Sequence, residues 1–186
     1  MKRIAVALVV GWLTSQAAPA ADTYKIDPAH TSVGFTISHL VISEVEGRFN
    51  EVAGEVSVES NALTAAKATI QANSIDTHVA KRDDHLRSPD FFDVEKYPTI
   101  TFESTKVEKD ADKTYIGGKF TMHGVTKEIR FPFVMKGPIK DPWGNSRIGL
   151  VAETSLNRNE YGMKPFPGVG DEVKIKISAE ATMSKK

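Results

Sequence analysis

The sequence predicts an all-β fold: an eight-stranded antiparallel barrel carrying one short helix at its mouth. Three observations predict it. Apolar residues recur at a period of two in about eight segments, the pattern of strands with one buried face. Between the segments lie short stretches rich in Gly, Pro, Asn and Asp, which join neighbouring strands as a meander. Finally, only one stretch reads as a helix. About eight strands in an open sheet would leave two unpaired edges, and closure removes them. A two-sheet sandwich is the alternative.

The chain of 186 residues suits one domain with a real core. Residues 1–20, "MKRIAVALVVGWLTSQAAPA", place Lys2 and Arg3 before an apolar run from Ile4 to Leu13 and end in Ala18-Pro19-Ala20. That order is a secretory signal peptide, too short and wrongly flanked for a membrane span. Cleavage is expected after Ala20, leaving a domain of residues 21–186. Lys2 and Arg3 are two of the 24 basic residues, so 22 would face 24 acidic ones, near −2. A near-neutral chain lacks the basic footprint of a nucleic-acid binder. It has no cysteine, hence no disulfide, thiolate nucleophile or lipid-attachment cysteine. An exported chain with no second apolar stretch of spanning length is expected to be a periplasmic or secreted protein.

The strand segments follow in order. Val33, Phe35 and Ile37 alternate with Gly34, Thr36 and Ser38. Next come Val52, Gly54, Val56 and Val58, then Ala68, Ile70 and Ala72, then Ile100 and Phe102. Ile116, Gly118, Phe120 and Met122 continue the series, followed by Ile129, Phe131, Phe133 and Met135, by Ile148, Leu150 and Ala152, and by Val173, Ile175, Ile177 and Ala179. The joins read "VEGRFNE", "KDADKTYIGG", "KGPIKDPWGN" and "KPFPGVGDE". An eight-stranded barrel is either filled by its side chains or holds one slender ligand. The residues expected to line an apolar interior are Val33, Phe35, Ile37, Ile70, Phe102, Phe120, Met122, Phe131, Phe133, Leu150 and Ile175. Gly54, Ala68, Ala72, Gly118 and Ala152 fall at inward positions where a solid core would use bulk. Either they leave a cavity or they fit the taper of a filled barrel.

The helix-like stretch lies in "KRDDHLRSPDFFDVEKYP" and its preceding residues. It is expected to start around Asp76-Thr77, good N-capping types, and to run to Ser88 before Pro89. Val79 and Leu86 form a narrow apolar stripe. Asp83 is spaced to pair with Arg87. One edge presents His78, Arg82 and His85, which either hold a polar head group or are solvated side chains. Phe91 and Phe92 follow directly and are expected to staple the helix onto the barrel mouth as a lid.

Enzyme motifs do not emerge. His30, His39, His78, His85 and His123 form no H-E-x-x-H and no H-x-H, and no G-x-S-x-G elbow is present. Asp84 and His85 are neighbours on a helix and point about 100° apart. His30, His39 and His123 sit at strand ends, where hydrogen bonding into a turn is the common role. No metal, cofactor or catalytic residue is expected.

The stretches "HTSVGFTISHL", "EGRFNEVAGEV", "SIDTHVAKRDDHLRSPDFFDVEKYPTITFEST", "GKFTMHGVTKEI" and "SLNRNEYGMKP" cover nearly the whole exported chain. In content and order they resemble the signature blocks of the YceI family of bacterial lipocalin-like proteins. The resemblance implies an extended eight-stranded barrel that binds a polyisoprenoid or similar long-chain amphiphile, a periplasmic site, and no established catalytic residues. The positions that recur within those blocks are Arg82, Asp83, His85, Leu86, Arg87, Phe91 and Phe92, together with Phe35, His39, Phe49 and Phe102. The expected partner is therefore a long isoprenoid lipid of polyprenyl or quinone type. A lipid-modifying enzyme using His78 or His85, and an envelope stress protein whose barrel is only a core, are the rivals.

Overall fold

The structure is a computed structural model that describes residues 21–183. The segment expected to be a signal peptide lies outside the described residues. Eleven strand segments are present: β1 (Asp22–Ile26), β2 (Ser32–His39), β3 (Ser43–Phe49), β4 (Val52–Glu59), β5 (Ala62–Gln71), β6 (Ile75–Asp76), β7 (Thr99–Asp110), β8 (Lys113–Met122), β9 (Val125–Lys140), β10 (Ser146–Asn157) and β11 (Val169–Met183). Among the described residues the one α-helix, α1, spans Ala80–Arg87.

These segments make eight strands, because β1 and β2, β3 and β4, and β5 and β6 are each one strand interrupted by a bend. All pairings are antiparallel, and β11 closes the ring against β2 through Ile175 and Phe35 and against β1 through Ala181 and Ile26. Closure of the ring excludes the sandwich, and the two-residue β6, which pairs only with β3, is the short edge left at the mouth. The three bends lie side by side, at the 3-10 turn Pro28–His30, at Asn50-Glu51 and at the 3-10 turn Ala72–Ser74. Backbone groups lost from the ladder there find other partners. The Asn50 N–H donates to the Ser74 carbonyl at 3.1 Å, and the Ala72 N–H to the Pro98 carbonyl at 2.9 Å.

The stretch "VEGRFNE", expected to be a join, instead supplies β3. Val45, Gly47 and Phe49 face inward while Glu44, Glu46 and Arg48 face out, so the alternation is present but Gly47 disguises it. Glycine is needed because a Cβ there would collide with the ring of Phe35 on the paired strand. Gly54 and Gly118 answer the question raised by the small residues differently from either expectation. A Cβ on them would run into the carbonyl oxygens of Lys67 and Glu103 on neighbouring strands. They serve close strand approach in a tightly coiled sheet rather than cavity volume.

The barrel has two unlike ends. At the mouth gather the Leu40–Ile42 hairpin, residues 77–98 with α1, the His123-Gly124 turn and residues 158–168. The far end is capped by turns at 60–61, 111–112 and 141–145. Inside, the far half is solid: Tyr24, Val56, Val58, Leu63, Ile116, Phe131, Ile148, Ala152 and Ala181 form one buried cluster. The Tyr24 hydroxyl, buried with that cluster, is within 3.0 Å of the Ser146 hydroxyl, which satisfies both.

Candidate functional site

Above that cluster the barrel is hollow. A cavity of about 400 Å³ occupies the mouth half, within the range of small-molecule sites. Of the residues expected in the interior, Val33, Phe35, Ile37, Ile70, Phe102, Phe120, Met122, Phe131 and Ile175 line it. Phe133 and Leu150 do not. Both pack against the far-half cluster, and Phe133 borders a wide, solvent-open depression at the opposite end that Glu108, Lys109 and Asp112 also line. Alternation reads which face a side chain takes but not how far down the strand it sits. The floor is set by Phe102 and Phe131, whose ring centroids are 5.5 Å apart.

Polar groups are confined to the mouth. Helix α1 begins at Ala80, with Val79 as N-cap and no side-chain cap, so the expected start at Asp76-Thr77 is corrected. Asp76 ends β6 and accepts the His78 N–H at 2.8 Å instead; that N–H, then the Asn50 amide, hold its carboxyl below the ordinary value. A residue inside the helix instead braces the segment that leads into it. Asp83, buried, accepts both the Thr77 N–H at 2.9 Å and the Thr77 hydroxyl at 2.6 Å. It therefore does not pair with Arg87. Arg87 reaches Asp84 at 3.0 Å and donates to the carbonyls of Asn73 and Ile75.

This late start also corrects the His78 assignment. His78 stands outside the helix, at φ +63°, with its ring exposed near Asp76 and away from the cavity. Arg82 and His85 do line the mouth. Arg82 donates to the Thr77 hydroxyl at 2.7 Å and carbonyl at 2.8 Å, and His85 lies 3.2 Å from Asp90. Phe91 and Phe92 line it as well, the latter edge-on to Phe49. His85, Phe91 and Phe166 form a three-ring contact that joins the α1 segment to the loop across the mouth.

Several lining residues escaped the sequence reading, among them Leu156, Met163, Phe166 and Val169, and the one charged residue among them is Arg158. Arg158 lines the cavity, is only 3 % exposed, and donates to the carbonyls of Lys164 at 2.6 Å and Gly170 at 2.8 Å while meeting Asp171 at 3.2 Å. It ties the loop of residues 162–171 to the end of β10. The available signal was an arginine between an apolar strand and a Gly-Met-Lys-Pro loop. Beside it, burial pushes the Tyr161 phenol above its ordinary value, and its ring stands edge-on to Phe120. Among the described residues no group of three or more His, Cys, Asp and Glu is placed to hold a metal ion, and no helix is long and apolar enough to cross a membrane. What the arrangement can do chemically is enclose an apolar tail and meet a polar head at the rim.

Comparison with known proteins gives the same shape. A family model described as "YceI-like domain" matches residues 24–181. A UPF0312 protein of Pseudomonas aeruginosa (strain LESB58) is 40% identical over 97% of both chains, and one of Shewanella sp. (strain MR-7) is 40% identical over 88% of both. Among solved structures, the YCEI protein of Campylobacter jejuni is 29% identical with a TM-score of 0.70, covering 77% of this chain and 88% of its own. BcnA of Burkholderia cenocepacia shares the fold at 22% identity with a TM-score of 0.74, over 84% of this chain and 99% of its own. A polyisoprenoid binding domain from Saccharophagus degradans shares it at 16% identity with a TM-score of 0.67, over 87% of this chain and 98% of its own.

Proposed function

The chain belongs to the YceI-like domain family, and from that premise we propose that it is a binding and carrier protein for a long-chain isoprenoid lipid of polyprenyl or quinone type. The tail lies in the barrel and the head stays at the mouth. The observation that carries this reading is the apolar cavity itself. A barrel serving only as a core would fill its mouth half as it fills its far half. The polyisoprenoid binding described for the Saccharophagus degradans domain supports the ligand class. The ordered n-region, apolar run and Ala18-Pro19-Ala20 of residues 1–20 support export by a cleaved signal peptide to the periplasm. No catalytic step is assigned.

Magnitudes agree. Burying ten methylene equivalents contributes about 8 kcal/mol, while micromolar affinity needs about 8.2 kcal/mol. Association also costs several kcal/mol in lost freedom. A tail longer than ten carbons is therefore required, and the rim of Arg82 and His85 sets head preference.

Solvent extraction and mass spectrometry of protein purified from its native host test the reading, with polyprenyl uptake by delipidated protein as a second arm. A co-purifying isoprenoid and saturable uptake are expected. Protein that carries no lipid and takes up no polyprenyl probe would sink it.

A further inference from the structure

The hairpin that joins β2 to β3 stands at the cavity mouth, and its tip is Leu40-Val41-Ile42. Val41 is 94 % exposed, Ile42 86 % and Leu40 56 %. The turn is tight: the Ile42 N–H donates to the His39 carbonyl at 3.3 Å, with φ +52° at Leu40 and +64° at Val41. Such turns favour Asn, Asp and Gly, because a side chain at positive φ is strained, a β-branched one most of all. Two other hairpins among the described residues follow that preference, with Ser60-Asn61 and His123-Gly124, and a third puts only the small Ala111 at positive φ. Among these hairpins only the β2–β3 turn puts large, branched aliphatic side chains there. Strain kept at an exposed position points to use rather than to packing.

The tip is continuous with the cavity. The Leu40 N–H donates to the Gly168 carbonyl at 2.6 Å, and its side chain lies against Gly168. Phe166 and Val169, on either side of that glycine, line the cavity, and Phe166 is also partly exposed. Apolar surface thus runs from the tip over the lip and inside. We propose that Leu40-Val41-Ile42 is a bilayer-docking tip that inserts among lipid head groups and brings the cavity mouth against the membrane.

This inference rests on the carrier reading and adds where loading occurs. A second copy is a poorer occupant, since three side chains cover far less than the roughly 800 Å² per partner of a stable interface. The charges favour a neutral membrane surface. Residues 77–98 and 158–168 carry six basic side chains, Lys81, Arg82, Arg87, Lys96, Arg158 and Lys164, against six acidic ones, Asp83, Asp84, Asp90, Asp93, Glu95 and Glu160, so the mouth lacks the net basic patch that draws proteins to anionic lipid.

Flotation of the purified protein with phosphatidylcholine vesicles, with and without phosphatidylglycerol, tests the docking. Equal binding to both, retained at high salt, is expected. The double variant Val41→Gly/Ile42→Ser is expected to lose at least about tenfold in vesicle partitioning. Its unfolding temperature should hold or rise, because glycine accepts the positive φ at position 41. Its uptake of a water-soluble prenyl diphosphate with a tail longer than ten carbons should be unchanged. Wild-type protein that stays in the buffer, or a double variant that floats as well as wild type, overturns the docking. So does a vesicle-induced emission shift of Trp143, which stands exposed at the opposite end. A change in sedimentation between wild type and variant without vesicle binding would assign the tip to a second copy instead. Failure of wild-type protein to take up the prenyl probe, with vesicle binding intact, removes the carrier reading and leaves the docking standing.

Discussion

Phe91, just past α1, and Phe166, on the loop across the mouth, stand with ring centroids 5.4 Å apart, and the His85 ring meets both edge-on. These contacts bridge two segments that otherwise approach from opposite sides of the cavity entrance. Aromatic pairs contribute about 0.5–1.5 kcal/mol each beyond area burial. Phe166→Ala removes two of the three contacts and is expected to speed dissociation of a fluorescent prenyl probe about tenfold, read by stopped flow. Unchanged dissociation would show that the rings do not hold the entrance.

The floor of the cavity sets tail length. Phe102→Ala removes half of the Phe102–Phe131 pair and deepens the hollow, so competition among prenyl alcohols of graded length should shift toward longer chains. Stability should fall by about 3 kcal/mol, the lower end for a buried aromatic, because Phe102 is only partly buried. Leu150→Ala packs below the floor and should cost stability with no change in preferred length. An identical length profile in both variants would place the floor elsewhere.

Asp83 holds the segment entering α1. Asp83→Ala strands the buried N–H and hydroxyl of Thr77 and is expected to cost about 1–3 kcal/mol in denaturant unfolding. Asp83→Asn keeps an acceptor and should cost less. Asp84, exposed and paired only with Arg87 across the surface, should change stability by under about 1 kcal/mol when replaced by Ala. Equal losses at the two positions would refute the bracing role.

Acid should unfold the far end first. Asp27 is held below its ordinary value by His30 and then by Arg147, each at 2.9 Å. Burial alone would raise Asp141, yet the Asn145 amide, the N–H groups of Asn145 and Trp143, and Arg147 bring it below as well. With folded values depressed, the stability these carboxylates contribute is complete above the ordinary aspartate value of about 3.9. It is lost as pH falls below that toward their folded values. Unfolding temperatures measured from pH 7 to pH 3 should stay level and then drop below about pH 4. Asp141→Asn should flatten the drop, and an unchanged profile would remove the network from the account.

Much of this architecture is legible in the sequence because alternation is a local property. Val33, Phe35 and Ile37 announce an inward face without any knowledge of their neighbours. What escapes is whatever depends on a partner strand. Gly47 reads as a turn until Phe35 is known to need its space, and Leu150 reads as lining until its height in the barrel is fixed. The helix start escapes because Asp76 and Thr77 are good caps by type, while Asp83 holds Thr77 in the segment ahead of a helix that no side chain caps. Arg158 gave little notice because its partners are mainly backbone carbonyls of a loop that composition describes only as Gly- and Pro-rich.

A barrel hollow at one end and solid at the other is a cul-de-sac. A chain that enters tail first must leave by backing out, so the protein is a cup and not a conduit. Its cargo would travel with the polar end always outermost, open to whatever enzyme or receptor recognises it, while the hydrocarbon stays hidden. On the proposed carrier reading, donor and acceptor would be met in turn by the same face, and two membranes would not be bridged at once.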